Sequence, residues 1–340
     1  MSDYVSTTTW EDLADRLRSA QRVGLFTHRK PDGDAMGSVI GLARALDTIG
    51  VASTAHFMGP FESGLKQIAD PTPWRSVEAE GPDESCDVMM VLDTGAWSQL
   101  EPVGPFLQAR HDQVCGVDHH VRGDDVAAHR MVMPACASTT QALLPLIDAL
   151  GVTLTTSIAE PLFVGLATDT GWFRHDNANA DAFSAAARLL ETGANKARLY
   201  QLIEETHRPV RLQIEARALG SVQYVAGGAA AIQRLTLADF AETGATAEDL
   251  TGIVNMPMSV GSVRASVLLT ELEPGETKVS FRAKPAATGG VACDVNEVAR
   301  TFGGGGHVLA AGARIASGID DASASVIAAM ESALGTTATS

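Results

Sequence analysis

The stretch Thr27-His28-Arg29-Lys30-Pro31-Asp32-Gly33-Asp34-Ala35-Met36-Gly37-Ser38 follows directly on the apolar run Arg22-Val23-Gly24-Leu25-Phe26. It opens a segment, residues 35–49, whose apolar side chains recur at helical spacing before Gly50. The apolar run reads as a buried strand, and the periodic segment as a helix with a glycine stop. A strand that feeds a helix through a turn of Pro, Asp and Gly is the repeating unit of an α/β fold. Similar apolar runs recur at residues 87–92 and 113–117, with helical patterns at 138–150 and 157–166. Strands of this kind, buried on both faces, imply a mostly parallel sheet flanked by helices. In such a sheet the ligand site lies at the carboxyl ends of the strands.

Two more helices are expected over residues 179–191 and 196–208, and a third, over 209–219, bridging the two halves. After Tyr224 the texture changes. Residues 229–235, 262–272 and 277–283 read as strands, the last two joined by the turn Glu273-Pro274-Gly275-Glu276. A short helix over 294–302 leads into a glycine run. The chain therefore divides into a domain over 10–209 and a smaller α/β domain with a mixed sheet over 210–335. No internal repeat is visible, and residues 335–340 read as a frayed terminus.

Of the 340 residues 45% are hydrophobic and 19% charged, so a sizeable core is available. The net charge of −16 argues against a protein that coats long duplex nucleic acid, which needs a broad basic face. A short anionic substrate is still admissible, because metals and a few arginines override the global field inside a small site. Cys86, Cys115, Cys136 and Cys293 form no C-x-x-C pair, which makes a disulfide framework or cysteine zinc site improbable and a reducing cytoplasm the simplest setting. Neither a signal peptide nor a membrane-spanning run of roughly 20 apolar residues is apparent.

Four clusters carry the chemistry. His28, Asp32 and Asp34 lie in the opening stretch, where a capped turn is an equal reading. Asp93 ends the second apolar run and Asp118-His119-His120 the third. Asp169 follows an apolar helix in Ala167-Thr168-Asp169-Thr170-Gly171. Each alone is weak. Together they bring carboxylates and imidazoles from four segments to one sheet edge, where unneutralised carboxylates would repel one another, so cations are required. Oxygen and nitrogen donors without thiolates suit manganese first, with magnesium, cobalt or iron as alternatives. Two such ions roughly 3.5–4 Å apart hold an attacking hydroxide and a phosphoryl oxygen together, which suits hydrolysis of a phosphate ester.

The second half adds Gly303-Gly304-Gly305-Gly306-His307, followed by Ala310-Ala311-Gly312. Consecutive glycines let backbone N–H groups approach an anion, and His307 adds a donor. Arg264 and Arg282, on the expected strands, are suited to bidentate phosphate contact, although single arginines are more often solvated surface charges. Asn255 reads equally as a ligand contact or a turn cap.

These residues together resemble the DHH phosphoesterase family. The matching positions are His28-x-x-Pro31-Asp32-Gly33-Asp34-Ala35-x-Gly37-Ser38, Asp93, Asp118-His119-His120 and Asp169. The glycine-histidine run and Ala310-Ala311-Gly312 resemble the signature of the DHH-associated C-terminal domain. In length and layout the chain is similar to the nanoRNase/pAp phosphatase subgroup. The resemblance implies hydrolysis of very short oligoribonucleotides, of 3′-phosphoadenosine 5′-phosphate (pAp), or of dinucleotides such as pApA and cyclic di-AMP. It implies two divalent cations, one held by His28, Asp32 and Asp93 and the other by Asp34, Asp93, His119 and Asp169, with Asp93 bridging. His120 would contact the scissile phosphate or support its leaving oxygen, and Asp118 would orient a histidine. Gly304, Gly305, Gly306, His307, Arg264 and Arg282 would hold the far end of the nucleotide, in a cleft between the domains. A homodimer is also compatible with the resemblance. One departure is Ser280-Phe281-Arg282-Ala283, where the family often has Ser-x-Arg-Ser, so one hydroxyl contact is lost.

Three rivals stand beside this reading. An inorganic pyrophosphatase of the same superfamily would lack the glycine-histidine loop. A single-strand exonuclease would carry extra binding modules and a basic or aromatic track, which an acidic chain with 5% aromatic residues does not offer. A non-catalytic nucleotide sensor would show a lost ligand, and every ligand position here is filled.

Overall fold

The structure, a computed structural model, describes residues 4–61, 63–286 and 291–335. Residues 1–3 and 336–340, the latter most of the stretch expected to fray, lie outside them. The chain forms two compact units, divided in sequence between Thr206 and His207.

The first unit is built on six strands: β1 (Arg22–Thr27), β2 (Ala52–Phe57), β3 (Trp74–Ser76), β4 (Val88–Leu92), β5 (Val114–Asp118) and β6 (His129–Val132). All pair in parallel, in the order β3-β2-β1-β4-β5-β6. The three strands legible in the sequence, β1, β4 and β5, form the centre and are buried almost throughout. The outer strands were not anticipated, because they are short or partly exposed: β3 spans three residues and β2 begins exposed. The strand order reverses between β1 and β4, which opens a crevice at their carboxyl ends. Register then places the residues that matter. Thr27 lies opposite Leu92, and Leu92 opposite Val117, so the next residues, His28, Asp93 and Asp118, emerge side by side.

Asp32 caps the helix Gly33–Thr48, its Oδ1 accepting the N–H groups of Asp34 and Ala35 at 3.1 Å each. This helix packs along the helix Thr156–Asp169. Gly33, Gly37 and Gly41 recur every fourth residue on the contact face. A Cβ at Gly37 would lie under 3.0 Å from the Pro161 carbonyl, one at Gly41 would strike Leu162, and one at Gly33 would strike Thr168. Gly165 answers from the other helix, where a Cβ would collide with Thr140 and the Asp34 carboxylate. Around this seam Met36, Ile40, Leu162, Phe163 and Leu166 are fully buried, each contributing about 1.5–3 kcal/mol. Pro161 has no N–H for the Ser157 carbonyl; Arg44 Nη1 donates there instead, at 2.8 Å. The expected 157–166 helix runs on through Asp169, which therefore sits in its last turn rather than beyond it.

Helices at Thr139–Ala149, Ala180–Leu190 and Lys196–Glu204 follow the sequence patterns. The last ends at Glu204, short of 208, and Arg208, extended before Pro209, is the N-cap of the next helix. The helix Pro209–Gly220 belongs to the second unit.

That unit carries β7 (Gln223–Val225), β8 (Ala230–Leu235), β9 (Ala265–Glu273), β10 (Glu276–Ala283), β11 (Gly305–His307) and β12 (Ala310–Ile315). They form a mixed sheet in the order β11-β12-β10-β9-β8-β7, in which only β8 and β9 pair in parallel. The helices Val295–Arg300 and Ile319–Gly335 bury Val279 and Phe281 on one face. The helix Pro209–Gly220 and a 3₁₀ segment, Ile253–Ser259, pack on Leu235 and Leu268. Among the described residues no helix is long and apolar enough to cross a membrane, and all four cysteines are free.

The glycine seam yields a stability test. Gly37→Val places side-chain atoms where the Pro161 backbone already is, and is expected to cost about 1–3 kcal/mol, read as a lowered urea midpoint. Gly104→Ala, with nothing within 4 Å of the new methyl, is the control and should leave the midpoint in place. Equal midpoints for both variants would contradict the close approach.

Candidate functional site

The carboxyl ends of β1, β4 and β5, together with the facing ends of the two packed helices, bring all six expected ligand residues to one place. His28 Nε2 lies 3.8 Å from Asp32 Oδ1 and 3.5 Å from Asp93 Oδ2. His119 Nε2 lies 3.6 Å from Asp93 Oδ1, 3.5 Å from Asp169 Oδ2 and 3.9 Å from Asp34 Oδ2. Asp93 thus turns one oxygen to each histidine. Three groups have donor atoms all within 4.8 Å of one another: His28, Asp32 and Asp93; Asp34, His119 and Asp169; and Asp93, His119 and His120. They can hold divalent metal, with oxygen and imidazole nitrogen as the only donors.

The local structure explains how these carboxylates are held. Asp34 is almost fully buried and accepts the Thr139 N–H at 2.6 Å and the Thr140 N–H at 2.9 Å, the free amides at the start of the helix Thr139–Ala149. That helix end carries partial positive charge, which favours a carboxylate. The Thr139 hydroxyl donates to Asp93 Oδ1 at 2.9 Å. Asp93 itself takes a left-handed backbone conformation, φ 63°, unusual outside glycine. Asp118 lies behind this row: its Oδ1 accepts from His120 Nδ1 at 2.7 Å and from the His120 N–H at 3.1 Å, while its Oδ2 accepts the Tyr4 hydroxyl at 2.7 Å.

Without a cation this arrangement is electrostatically stressed. Burial, and then the neighbouring Asp34 charge, raise Asp93 well above the ordinary carboxylate range. Burial raises Asp34 as well. Burial, with the charges of Asp34 and Asp32, pushes Asp169 up to about 7. Burial works against the charged form of His28, but its bonds to Asp32 and Asp93 outweigh that and carry it up to about 10. The bond to Asp118 lifts His120 to about 9. Asp118 is lowered, its bonds to His120 and Tyr4 overcoming burial. Displacing those protons with a cation removes the repulsion, so the donor set fits metal in number and in charge.

The cluster opens into a cavity of about 300 Å³, also lined by Thr94, Gln99 and Arg122. Sequence reasoning missed Arg122, Gln99, Thr139, Thr140 and Tyr4. Arg122, two residues past His120, was legible as a cation beside the Asp-His-His run. Ser138-Thr139-Thr140 carried an N-cap signal. Nothing in sequence links Tyr4 to Asp118, 114 positions away.

In the second unit the glycine run does not form an open loop. Gly305–His307 is β11, paired with β12, and a Cβ at Gly304 would strike the Gly312 carbonyl. Gly303 and Gly304 line a pocket of about 410 Å³ with Lys278, Ser280, Gly312 and Arg314. His307 and Arg282 are both registered on Ala310, so they share one row two strands apart, roughly 10 Å. Arg282 Nη1 donates to the neighbouring Phe281 carbonyl at 2.8 Å. Arg264 is exposed just before β9, and Asn255 is exposed on the 3₁₀ segment. None of these four lines the glycine pocket.

Comparison with known proteins agrees with this architecture. Residues 22–166 match the N-terminal domain of the DHH family, and residues 227–335 match the DHHA1 domain. The chain is 32% identical over 317 residues to the bifunctional oligoribonuclease and PAP phosphatase NrnA of Thermus thermophilus, covering 90% of this chain and 89% of that one. It is 27% identical over 300 residues to the protein of the same description in Bacillus subtilis, covering 86% and 88%. An exopolyphosphatase-related protein from Bacteroides fragilis shares the fold, with a TM-score of 0.82 at 22% identity over 99% of this chain and 98% of that one. With both domains matched in order and a relative this similar along nearly its whole length, the chain belongs to the DHH family of phosphoesterases.

Proposed function

We propose that the protein is a metal-dependent phosphoesterase that hydrolyses short oligoribonucleotides, dinucleotides such as pApA or cyclic di-AMP, and pAp to mononucleotides. The observation that carries this is Asp93, whose two oxygens face two histidine-carboxylate groups at the point where the sheet order reverses. The reading assigns one divalent cation to His28, Asp32 and Asp93 and a second to Asp34, Asp93, His119 and Asp169. Manganese comes first for this donor set, with magnesium or cobalt as alternatives. Bound cations supply an acidified water and neutralise phosphoryl charge.

The chain's own groups do the rest. Asp34 and Asp93 are oriented by Thr139 and Thr140. His120, which lines the cavity with Nδ1 held by Asp118, is assigned as the proton donor for the leaving oxygen through its free Nε2. Arg122 is placed to meet a phosphate. Gly304, Gly305, Gly306, His307, Arg264, Arg282 and Asn255 are assigned to the remainder of the nucleotide. The similarity to oligoribonuclease and PAP phosphatase relatives supports the short-substrate choice. The same reading places the protein in the cytoplasm and allows a homodimer.

Hydrolysis of a panel of pAp, pApA, cyclic di-AMP, short RNA and pyrophosphate, with manganese or chelator, tests the proposal. Manganese-dependent release of AMP from pAp or pApA is expected. Turnover of pyrophosphate alone would move the protein to the pyrophosphatase branch, and no turnover with metal bound would favour the sensor reading. Asp93→Ala is expected to reduce turnover to background, because both groups lose a ligand. Full activity of that variant in metal-controlled buffer would overturn the bridging assignment.

A pH dependence follows from the raised groups. Asp169, at about 7, and His28, at about 10, must both lose protons to bind a cation. Manganese affinity measured by calorimetry is therefore expected to rise between about pH 6 and about pH 8, by at least roughly tenfold per unit. Both shifts are upward, so the metal-free fold loses stability as pH rises. The windows run from the ordinary 3.8 to about 7 for Asp169, and from the ordinary 6.5 to about 10 for His28. Affinity independent of pH would contradict this ligand set.

A further inference from the structure

We propose that Tyr4 is a positioning residue for the reaction, its hydroxyl locking the Asp118 carboxylate that orients His120. The inference rests on the phosphoesterase reading above. Asp118 is nearly fully buried and both of its oxygens are engaged, Oδ2 by the Tyr4 hydroxyl and Oδ1 by His120 Nδ1, each at 2.7 Å. A carboxylate held at one oxygen alone can rotate about its Cβ–Cγ bond and carry the imidazole with it. Held at both it cannot, and since a carboxylate only accepts, Nδ1 is the protonated nitrogen on that side. Nε2 is the nitrogen this bond leaves free, on a ring that lines the cavity.

The surroundings are built for this contact. The segment carrying Tyr4 runs beside β6. The Thr7 N–H donates to the Arg130 carbonyl at 2.8 Å, and the Arg130 N–H donates to Thr7 Oγ1 at 2.9 Å. The Val132 N–H donates to Ser6 Oγ at 2.9 Å, and Arg130 Nε donates to the Val5 carbonyl at 3.1 Å. The Arg130 guanidinium lies 5.7 Å from the centre of the Tyr4 ring. Room for that ring exists only because residues 95 and 123 are glycines: a Cβ at Gly123 would lie 2.5 Å from the ring, and one at Gly95 would overlap the phenol end. Gly95 follows Asp93 by two residues and Gly123 follows His120 by three, so the ring is clamped between the two loops that carry the site.

In the step concerned, the bond from phosphorus to the leaving oxygen breaks and its electron pair stays on that oxygen. The proton on His120 Nε2 passes to it, while the oxygen of a water-derived hydroxide forms the new bond to phosphorus; the proton that water gave up goes to solvent, and His120 is reprotonated from solvent before the next turnover. A mobile His120 would slow this transfer without weakening substrate binding.

Tyr4→Phe keeps the ring and removes only the hydroxyl. On the best substrate of the panel its kcat is expected to fall about 10–100-fold, with KM within about twofold of the parent. On a p-nitrophenyl ester of a nucleotide 5′-phosphate, whose leaving group needs no proton, the loss should shrink below about threefold. Gly123→Ala, which displaces the ring, should reproduce the loss in the parent and add nothing to Tyr4→Ala. Unchanged kcat in Tyr4→Phe, an equal loss on both substrates, or additive effects of Gly123→Ala and Tyr4→Ala would each overturn the proposal. A parent protein inactive on both substrates would instead remove the phosphoesterase reading, and this inference with it.

Discussion

The constraint on which the molecule turns is the crowding of buried carboxylates. Asp34 and Asp93 are almost inaccessible to water, and Asp169 and Asp32 stand beside them. In a low-dielectric setting such charges repel strongly: burial and the neighbouring charges raise Asp34, Asp93 and Asp169 above the ordinary carboxylate range, while Asp32, against burial, is lowered by His28 and by the amides it caps. Three of the four are given partial relief by hydrogen-bond donors. Asp34 meets the amides of a helix start, Asp93 the Thr139 hydroxyl, and Asp32 the amides of the helix it caps. No carboxylate is neutralised by a lysine or arginine among the ion pairs of the described cluster; only histidines approach them. The fold thus concentrates negative charge at one edge and leaves it for cations to balance.

Maintaining that concentration requires rigid elements. Two helices approach until backbone nearly meets backbone at Gly37 and Gly165, while Gly33 and Gly41 make room for the side chains of Thr168 and Leu162. The same approach carries Asp34, at the start of one helix, toward Asp169, at the end of the other. Arg44 fills the hydrogen bond that Pro161 leaves open and also binds the carbonyls of Ile68 and Asp70. The seam and the site are therefore one construction. Side chains absent from the first allow carboxylates to converge in the second.

The central strands and the cluster residues were legible because their signals are local. A strand buried on both faces reads as an apolar run, and a polar residue at its end reads as a site candidate, as with Leu92-Asp93 and Val117-Asp118. The outer strands β2, β3 and β6 were not legible, being short or half solvated. The glycine run misled in one respect. Four glycines read as an open loop, yet Gly305 and Gly306 pair with β12, because glycine permits a strand as readily as a turn when a neighbouring backbone offers its hydrogen bonds.

By itself, the sequence determined which residues stand at strand ends, what donors they offer, and that such donors suit divalent cations. Those follow from residue type and from periodicities of two or three to four residues. The tertiary structure alone decided the rest: the reversal between β1 and β4, the register that sets His28, Asp93 and Asp118 abreast, and the division of the Asp93 oxygens between two histidines. It alone brought Tyr4 to Asp118 and Arg122 to the cavity. Register and strand order are set by packing between elements remote in the chain, and no local pattern of side chains encodes those distances.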